Sequence, residues 1–396
     1  AEALRSRTFE ALRHLVLAAA RRRPLVVAVE DLHWADDSST SFVSSLARAI
    51  PAARVLVLAT YRPGGRPTWL ELSHATQVAL PRLGPSESLQ VVRSVLEVQD
   101  VSERLGRALL EHGEGTPFFL EELALASQGG DLGDEVPGTV EDVLLARIDR
   151  LDEDTRALLQ TASVLGRRFS LRVLSAVSSR GTELEASLER IASDEFLVEA
   201  EVDGEVGYEF KHALTQAVAY RSAGPTRRAA THETAGLCIE TLYAGRTHEV
   251  EGLLAHHWSH TEDAPRAVAY LERAAASSAR GYAHSEAATT LREALHHAER
   301  LPQDERERRV TDLSLRLVAS LYFLGRMDES EELLAGLGAR IDAAFDPSLA
   351  CRYQFWTGHT ASHLGKPDTA ERSARAAIEL AEHLDDPAAL GRARYI

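Results

Sequence analysis

The sequence predicts an α/β region followed by an all-α one, on three observations. Two valine- and leucine-rich runs, Leu25 to Val29 and Val55 to Ala59, flank a helical stretch. An Asp203-Gly204 step separates two short apolar runs, and after about Thr226 only helical apolar spacing is found. Phe9, Leu12, Leu15 and Val16 recur at helical spacing up to Pro24, so the chain opens on a helix. The run from Leu25 to Val29 then reads as a buried parallel strand ending in Glu30, Asp31, Leu32, His33, Trp34, Ala35 and Asp36. A helix over Ser38 to Ile50 leads to the second strand, which ends in Thr60, Tyr61 and Arg62. Functional groups of such sheets gather at the carboxyl ends of the strands, here Glu30, Asp31, Thr60 and Arg62. A third short strand is expected over Gln77 to Leu80, with helices over Ser86–Leu96, Ser102–His112 and Phe118–Ala126.

Gly129, Gly130, Gly133, Pro137 and Gly138 mark a linker before Thr139. Helices over Val140–Arg150, Asp154–Leu165, Leu171–Ala176 and Glu183–Ala192 precede the Asp-Gly hairpin, an order that suggests a winged-helix module. Ala287, Leu291, Ala294 and Leu295 share a small-large spacing with Ala370, Ala374, Ala377 and Ile378, and more loosely with Ser330 and Leu334. This points to a degenerate, longer-period solenoid of tetratricopeptide type; the alternative is an ordinary bundle with alanine-rich contacts. The expected divisions are 1–80, 81–127, a linker over 128–138, 139–225 and 226–396.

With 396 residues the chain has room for two to four domains, and 44% apolar with 26% charged residues is an ordinary globular composition. Lys plus Arg is 44 against 60 for Asp plus Glu, a net charge of -16, which disfavours gripping phosphate backbones or anionic lipid. Direct nucleic-acid contact is therefore not expected, nor is a membrane span. Two cysteines, Cys238 and Cys351, form no disulfide framework and fit a reducing cytoplasm. The sole methionine is Met327 and no helix stop closes the sequence, so the chain reads as a piece of something longer.

An apolar strand ending in two carboxylates is what a Walker B element requires: one acid holds the water shell of Mg²⁺ and its neighbour orients or deprotonates the attacking water. Glu30 and Asp31 suit those roles. The alternative is a strand that merely emerges into solvent. The ordered set of Val26 to Asp36, the Leu56 to Pro63 strand end, Leu80-Pro81-Arg82-Leu83 and Gly115-Thr116-Pro117 through Leu123 resembles the STAND class of AAA-like signalling ATPases. The likeness is to bacterial ATPases with tetratricopeptide tails fused to adenylate cyclase, kinase or LuxR-type regulator domains. It implies a partial P-loop-type α/β core lacking the Walker A loop, a helical lid, a winged-helix module and a tetratricopeptide-like α-solenoid. It also implies ATP/ADP and Mg²⁺ as ligands of the parent protein, with Glu30 on the metal beside Asp31 and Asp31 as the catalytic acid. Arg62 matches the family's γ-phosphate sensor, Gly115 and Pro117 its nucleotide-touching GxP motif, and His212 its winged-helix histidine. Glu30 stands where many relatives have Asp, and Ala213 where those with the histidine motif have Asp; a histidine packed at a domain seam is the other reading of His212.

The phosphate loop is not found. It needs glycine-rich backbone and a lysine followed by Ser or Thr, and the only lysines are Lys211 and Lys366. The chain is thus expected not to bind ATP tightly, and the sheet edge left by a missing strand suggests self-association. The resulting reading is a fragment of a nucleotide-switched signal-transduction or transcription-regulating ATPase whose repeats bind a protein partner. The alternative is a non-enzymatic repeat adaptor with a relic core. His256, His257 and His260 offer an i, i+4 pair for a metal, but no acid accompanies them and a wetted solenoid helix accounts for them.

Overall fold

The structure, a computed structural model, describes residues 2–62, 67–128, 138–178, 183–338, 341, 346–384 and 386–394. It divides into a unit over Ala1–Pro81 and a unit over Arg82–Ile396.

In the first unit, α1 (Glu2–Arg22) leads into β1 (Leu25–Val29), α2 (Asp37–Ala49) and β2 (Val55–Ala59). The strands pair in parallel from Leu25 opposite Val55 to Val29 opposite Ala59. Successive side chains of a strand point to opposite faces. On one face Val29, Val57 and Ala59 pack with Leu32, Val43, Ala47 and Trp69. Val26, Leu56 and Leu58 point the other way and are 62%, 59% and 57% exposed. The expectation of strands buried on both faces is therefore corrected: among the described residues one face is covered and the other is bare. Gln77 to Leu80 is not a strand either. Among the described residues they pair with no neighbour, and Val78 and Leu80 stand in solvent, because β-propensity without a ladder partner does not make a strand.

The second unit opens with α3 (Pro85–Leu96), α4 (Glu103–Gly113) and α5 (Pro117–Gln128), which enclose Val92, Leu109, Leu120 and Leu123. Most of the expected linker, residues 129–137, lies outside the described residues. Thr139 then caps α6 (Val140–Asp149), its hydroxyl accepting the Asp142 N–H. Next come α7 (Glu153–Leu165), β3 (Arg168–Ser170), α8 (Leu171–Ser178), α9 (Glu183–Ser193), β4 (Leu197–Val202), β5 (Glu205–Phe210) and α10 (Ala213–Ser222). The three strands form an antiparallel sheet in the order β3-β5-β4. Asp203 and Gly204 take φ of 51° and 79°, both left-handed, as the Asp-Gly hairpin demands. The strand β3 escapes sequence reading because three residues carry no usable periodicity.

The remainder is helical: α11 (Pro225–Leu242), α12 (Glu251–Ser259), α13 (Ala264–Arg280), α14 (His284–Ala298), α15 (Gln303–Phe323), α16 (Met327–Gly338), α17 (Pro347–His363), α18 (Pro367–His383) and α19 (Pro387–Ala393). Each packs on its neighbour in sequence, the pattern of a stacked repeat array. Ala287, Ser330 and Ala377, three of the small residues singled out by spacing, are completely buried, which lets the helix axes approach. No helix among the described residues is long and apolar enough to cross a membrane.

Candidate functional site

The sequence-predicted residues of the first unit meet at the carboxyl ends of β1 and β2. There the backbone turns sharply: Asp31 adopts φ 52° and ψ 43°, a left-handed conformation that aspartate tolerates better than most residues. Thr60 holds this turn. Its hydroxyl accepts the Asp31 N–H at 2.9 Å, its carbonyl accepts the Leu32 N–H at 2.9 Å, and its own N–H donates to the Val29 carbonyl at 3.0 Å. Leu32 is thereby driven into the core while Glu30 and Asp31 are left exposed just beyond the strand ends. His33 Nδ1 lies 3.9 Å from the Asp31 carboxylate. Asp36 is occupied otherwise: it caps α2, accepting the Ser39 N–H at 2.7 Å. Arg62 sits on the neighbouring strand end with its guanidinium 5.7 Å from the exposed Trp34 ring, a cation–π contact. Two carboxylates and one guanidinium thus border the same pair of strand ends. Chemically, the acids can hold a hydrated divalent cation and the arginine can meet an anion. Thr60, the residue that fixes the geometry, was noted only as a strand-end position, because its role lies in two backbone turns that meet across the sheet.

The other predicted residues belong to the second unit. Gly115 has φ 68°, and a Cβ there would fall 2.3 Å from the Leu83 carbonyl oxygen; the Leu83 N–H donates to the Gly115 carbonyl at 2.8 Å. Pro117 is the first residue of α5, where a missing N–H costs nothing. Both positions of the motif therefore have a backbone role as it stands. From α5, Glu121 reaches Lys211, which also donates to Glu195 at 2.6 Å, and approaches His212 Nε2 at 3.8 Å. The His212 ring lies 4.2 Å from that of Phe118, and burial pushes its pKa below the usual value against the pull of Glu121. These contacts are those of a histidine packed at a seam. Alongside them, buried Glu122 of α5 is ion-paired with buried Arg147 of α6, which lies 4.6 Å over the Phe196 ring. Burial raises the Glu122 pKa and Arg147 opposes the rise. Sequence reading missed Glu121 and Glu122; the signal was a pair of adjacent acids on an otherwise apolar helix.

A third group overturns an expectation. His257 is completely buried and His232 nearly so, with their Nδ1 atoms 3.0 Å apart, so α12 does not turn all of its histidines to water. Burial drives the His232 pKa down to about 2 and that of His257 down to about 3, with the neighbouring histidines adding to both shifts.

Residues 1–58 match the family model of the AAA ATPase domain. The matched stretch contains β1, Glu30, Asp31 and nearly all of β2. An uncharacterized protein of Rhizobium meliloti (strain 1021) is 28% identical over 252 residues, 58% of this chain, and the match spans 24% of that protein's length. A Signal Transduction ATPase with Numerous Domains (STAND) protein with a tetratricopeptide repeat sensor, from Pyrococcus horikoshii, aligns over 97% of this chain and 67% of its own at 13% identity, with a TM-score of 0.44.

Proposed function

We propose that this chain is the Walker B-bearing core, lid, winged-helix and repeat portion of a nucleotide-switched signalling ATPase of the STAND type. The observation that carries the reading is the Thr60-clamped turn, which leaves Glu30 and Asp31 exposed at the end of one parallel strand while Arg62 lies at the end of its neighbour. In that setting Glu30 and Asp31 would hold the water shell of Mg²⁺, Asp31 would take the proton of an attacking water, and Arg62 would face the terminal phosphate. Gly115, Pro117 and His212 are assigned to the lid and winged-helix motifs by the family resemblance alone. Helices α7 to α10 with the three-stranded sheet follow the winged-helix order and act as a spacer.

The repeats are the partner-binding part. A cavity of about 580 Å³ there is lined by Ala279, Leu315, Phe323, Phe355 and Trp356 together with Arg280 and Arg352. Apolar walls of this kind suit the apolar side chains of a protein segment, while Glu272 also lines the cavity and Arg352 is already ion-paired with Asp312.

Both lysines lie in the second unit and are already engaged, Lys211 with Glu121 and Glu195, Lys366 with Glu331 at 2.5 Å. Neither is available as a phosphate-loop lysine; the second reading is a repeat adaptor whose core no longer turns over nucleotide. Isothermal titration of the chain with Mg-ATP is expected to give no micromolar binding; saturable heat would overturn that. In a longer protein that carries a glycine-rich loop ending in Lys-Ser or Lys-Thr ahead of Ala1, Asp31→Asn is expected to leave ATP binding intact and slow hydrolysis by about 10²- to 10⁴-fold. Unchanged hydrolysis would remove Asp31 from the role, and a protein with that loop but no hydrolysis would favour the adaptor.

A further inference from the structure

Helix α11 and the end of α12 bring together histidines far apart in sequence. His256 and His260 stand one helical turn apart on the exposed side of α12, and His232 of α11 faces them, its ring 4.5 Å from that of His260 and 5.5 Å from that of His256. One ring nitrogen from each of the three lies within 4.8 Å of the other two. We propose that His232, His256 and His260 form a binding site for a zinc-class divalent cation.

Three imidazoles and an open fourth position are a recurrent ligand set for Zn²⁺, and imidazole selects Zn²⁺, Ni²⁺ or Cu²⁺ over Mg²⁺ or Ca²⁺. A tetrahedral centre with Zn–N bonds of about 2.0 to 2.1 Å needs nitrogens about 3.4 Å apart. The spread of up to 4.8 Å must close to about 3.4 Å, a change within reach of side-chain rotation because His256 and His260 are exposed.

The hydrogen bonds around the rings already sort the tautomers. His260 Nδ1 lies 2.8 Å from the His256 carbonyl oxygen, which can only accept, so Nδ1 carries the proton and Nε2 presents a lone pair. His232 Nδ1 is bonded to His257 Nδ1 at 3.0 Å and its Nε2 to the Tyr220 hydroxyl at 3.0 Å. The tyrosine contact is the one that yields, since a phenol can turn its proton elsewhere. His257, fully buried and with Nε2 unpartnered among the described residues, then remains as the outer group that orients His232. Of the charged groups nearby, Arg228 opposes a cation at His232 and Glu293 of α14 favours one at His256.

The site would staple α11 to α12, the first pair of the helical array. A ligand held only by the folded chain raises its stability. The test uses the whole chain, dialysed against a chelator and titrated with ZnSO₄ by calorimetry, with Co²⁺ absorption as a second readout. The expected result is one Zn²⁺ per chain in or below the micromolar range, a higher thermal unfolding midpoint with Zn²⁺, and the intense visible bands of four-coordinate Co²⁺. His256→Ala and His260→Ala, both at exposed positions, should each weaken binding by more than the roughly 10- to 100-fold that loss of an outer-shell partner costs. His296→Ala, outside the cluster, should leave it unchanged. Absence of saturable Zn²⁺ binding by the wild-type chain, or binding that survives the His256→Ala/His260→Ala double substitution, would overturn the proposal.

Discussion

Three strand residues of the first unit and three helical leucines of the second differ sharply in exposure. In β1 and β2 the residues Val26, Leu56 and Leu58 are more than half exposed, whereas Leu109, Leu120 and Leu123 in the helices after Pro81 have no exposure at all. The difference is in the partner layer. A parallel strand needs cover on both faces, and here α2 covers one. In the second unit every helix from α11 on has a chain neighbour to pack against, and residues such as Ile239, Leu254, Ala287 and Leu321 are buried there. A similar contrast separates the charged groups: Glu30 and Asp31 face solvent, while Glu122 and Arg147 are sealed inside. Exposed acids at the end of a strand are available for chemistry, and a buried pair between α5 and α6 is available only for holding those helices together.

The contrast can be broken at its strongest point by Arg147→Met. This leaves Glu122 as an uncompensated buried carboxylate and is expected to cost about 3 to 5 kcal/mol, read as a lower denaturant midpoint. The double substitution Glu122→Gln/Arg147→Met should recover much of the loss; if it does not, the pair is not what holds that seam. Leu120→Ala, at a site with no exposure, should cost about 2 to 5 kcal/mol through lost transfer energy and the cavity left behind.

A smaller effect is expected with pH. His212 is held neutral by burial, with Lys211 and Arg167 adding to the depression and Glu121 and Glu195 opposing it. A base whose folded pKa is depressed contributes stability that is present above its ordinary value of 6.5 and lost as pH falls through the window down to the folded value. His212→Gln should therefore flatten the pH dependence of the unfolding midpoint below 6.5 and leave its value above that little changed. An identical slope in the two proteins would show that His212 does not titrate with folding. The smallest effect is reserved for the bare face: Leu58→Ser should change stability by no more than about 0.5 kcal/mol. A loss comparable to that of Leu120→Ala would mean that this face is covered in solution.

Much of the architecture was legible because it rests on local periodicity. The runs at Leu25–Val29 and Val55–Ala59, the hairpin at Asp203-Gly204 and the small-residue faces at Ala287, Ser330 and Ala377 each encode their own element within a few residues. The strand expected at Gln77–Leu80 failed for the complementary reason: an isolated apolar run specifies a strand only when another strand is there to bond it.

The sites divide along the same line. Glu30 and Asp31 were visible because an apolar run ending in two acids is contiguous, and so was the Gly115-Thr116-Pro117 motif. That Thr60 clamps the Asp31 turn, that Leu83 meets Gly115, that Glu121 gathers Lys211 and His212, and that His232 joins His256 and His260 are contacts between residues 24 to 91 positions apart. Composition and spacing determine which residues a helix or strand presents on one face. Which side chain of a second element arrives opposite it is set by packing, and only the folded chain records that.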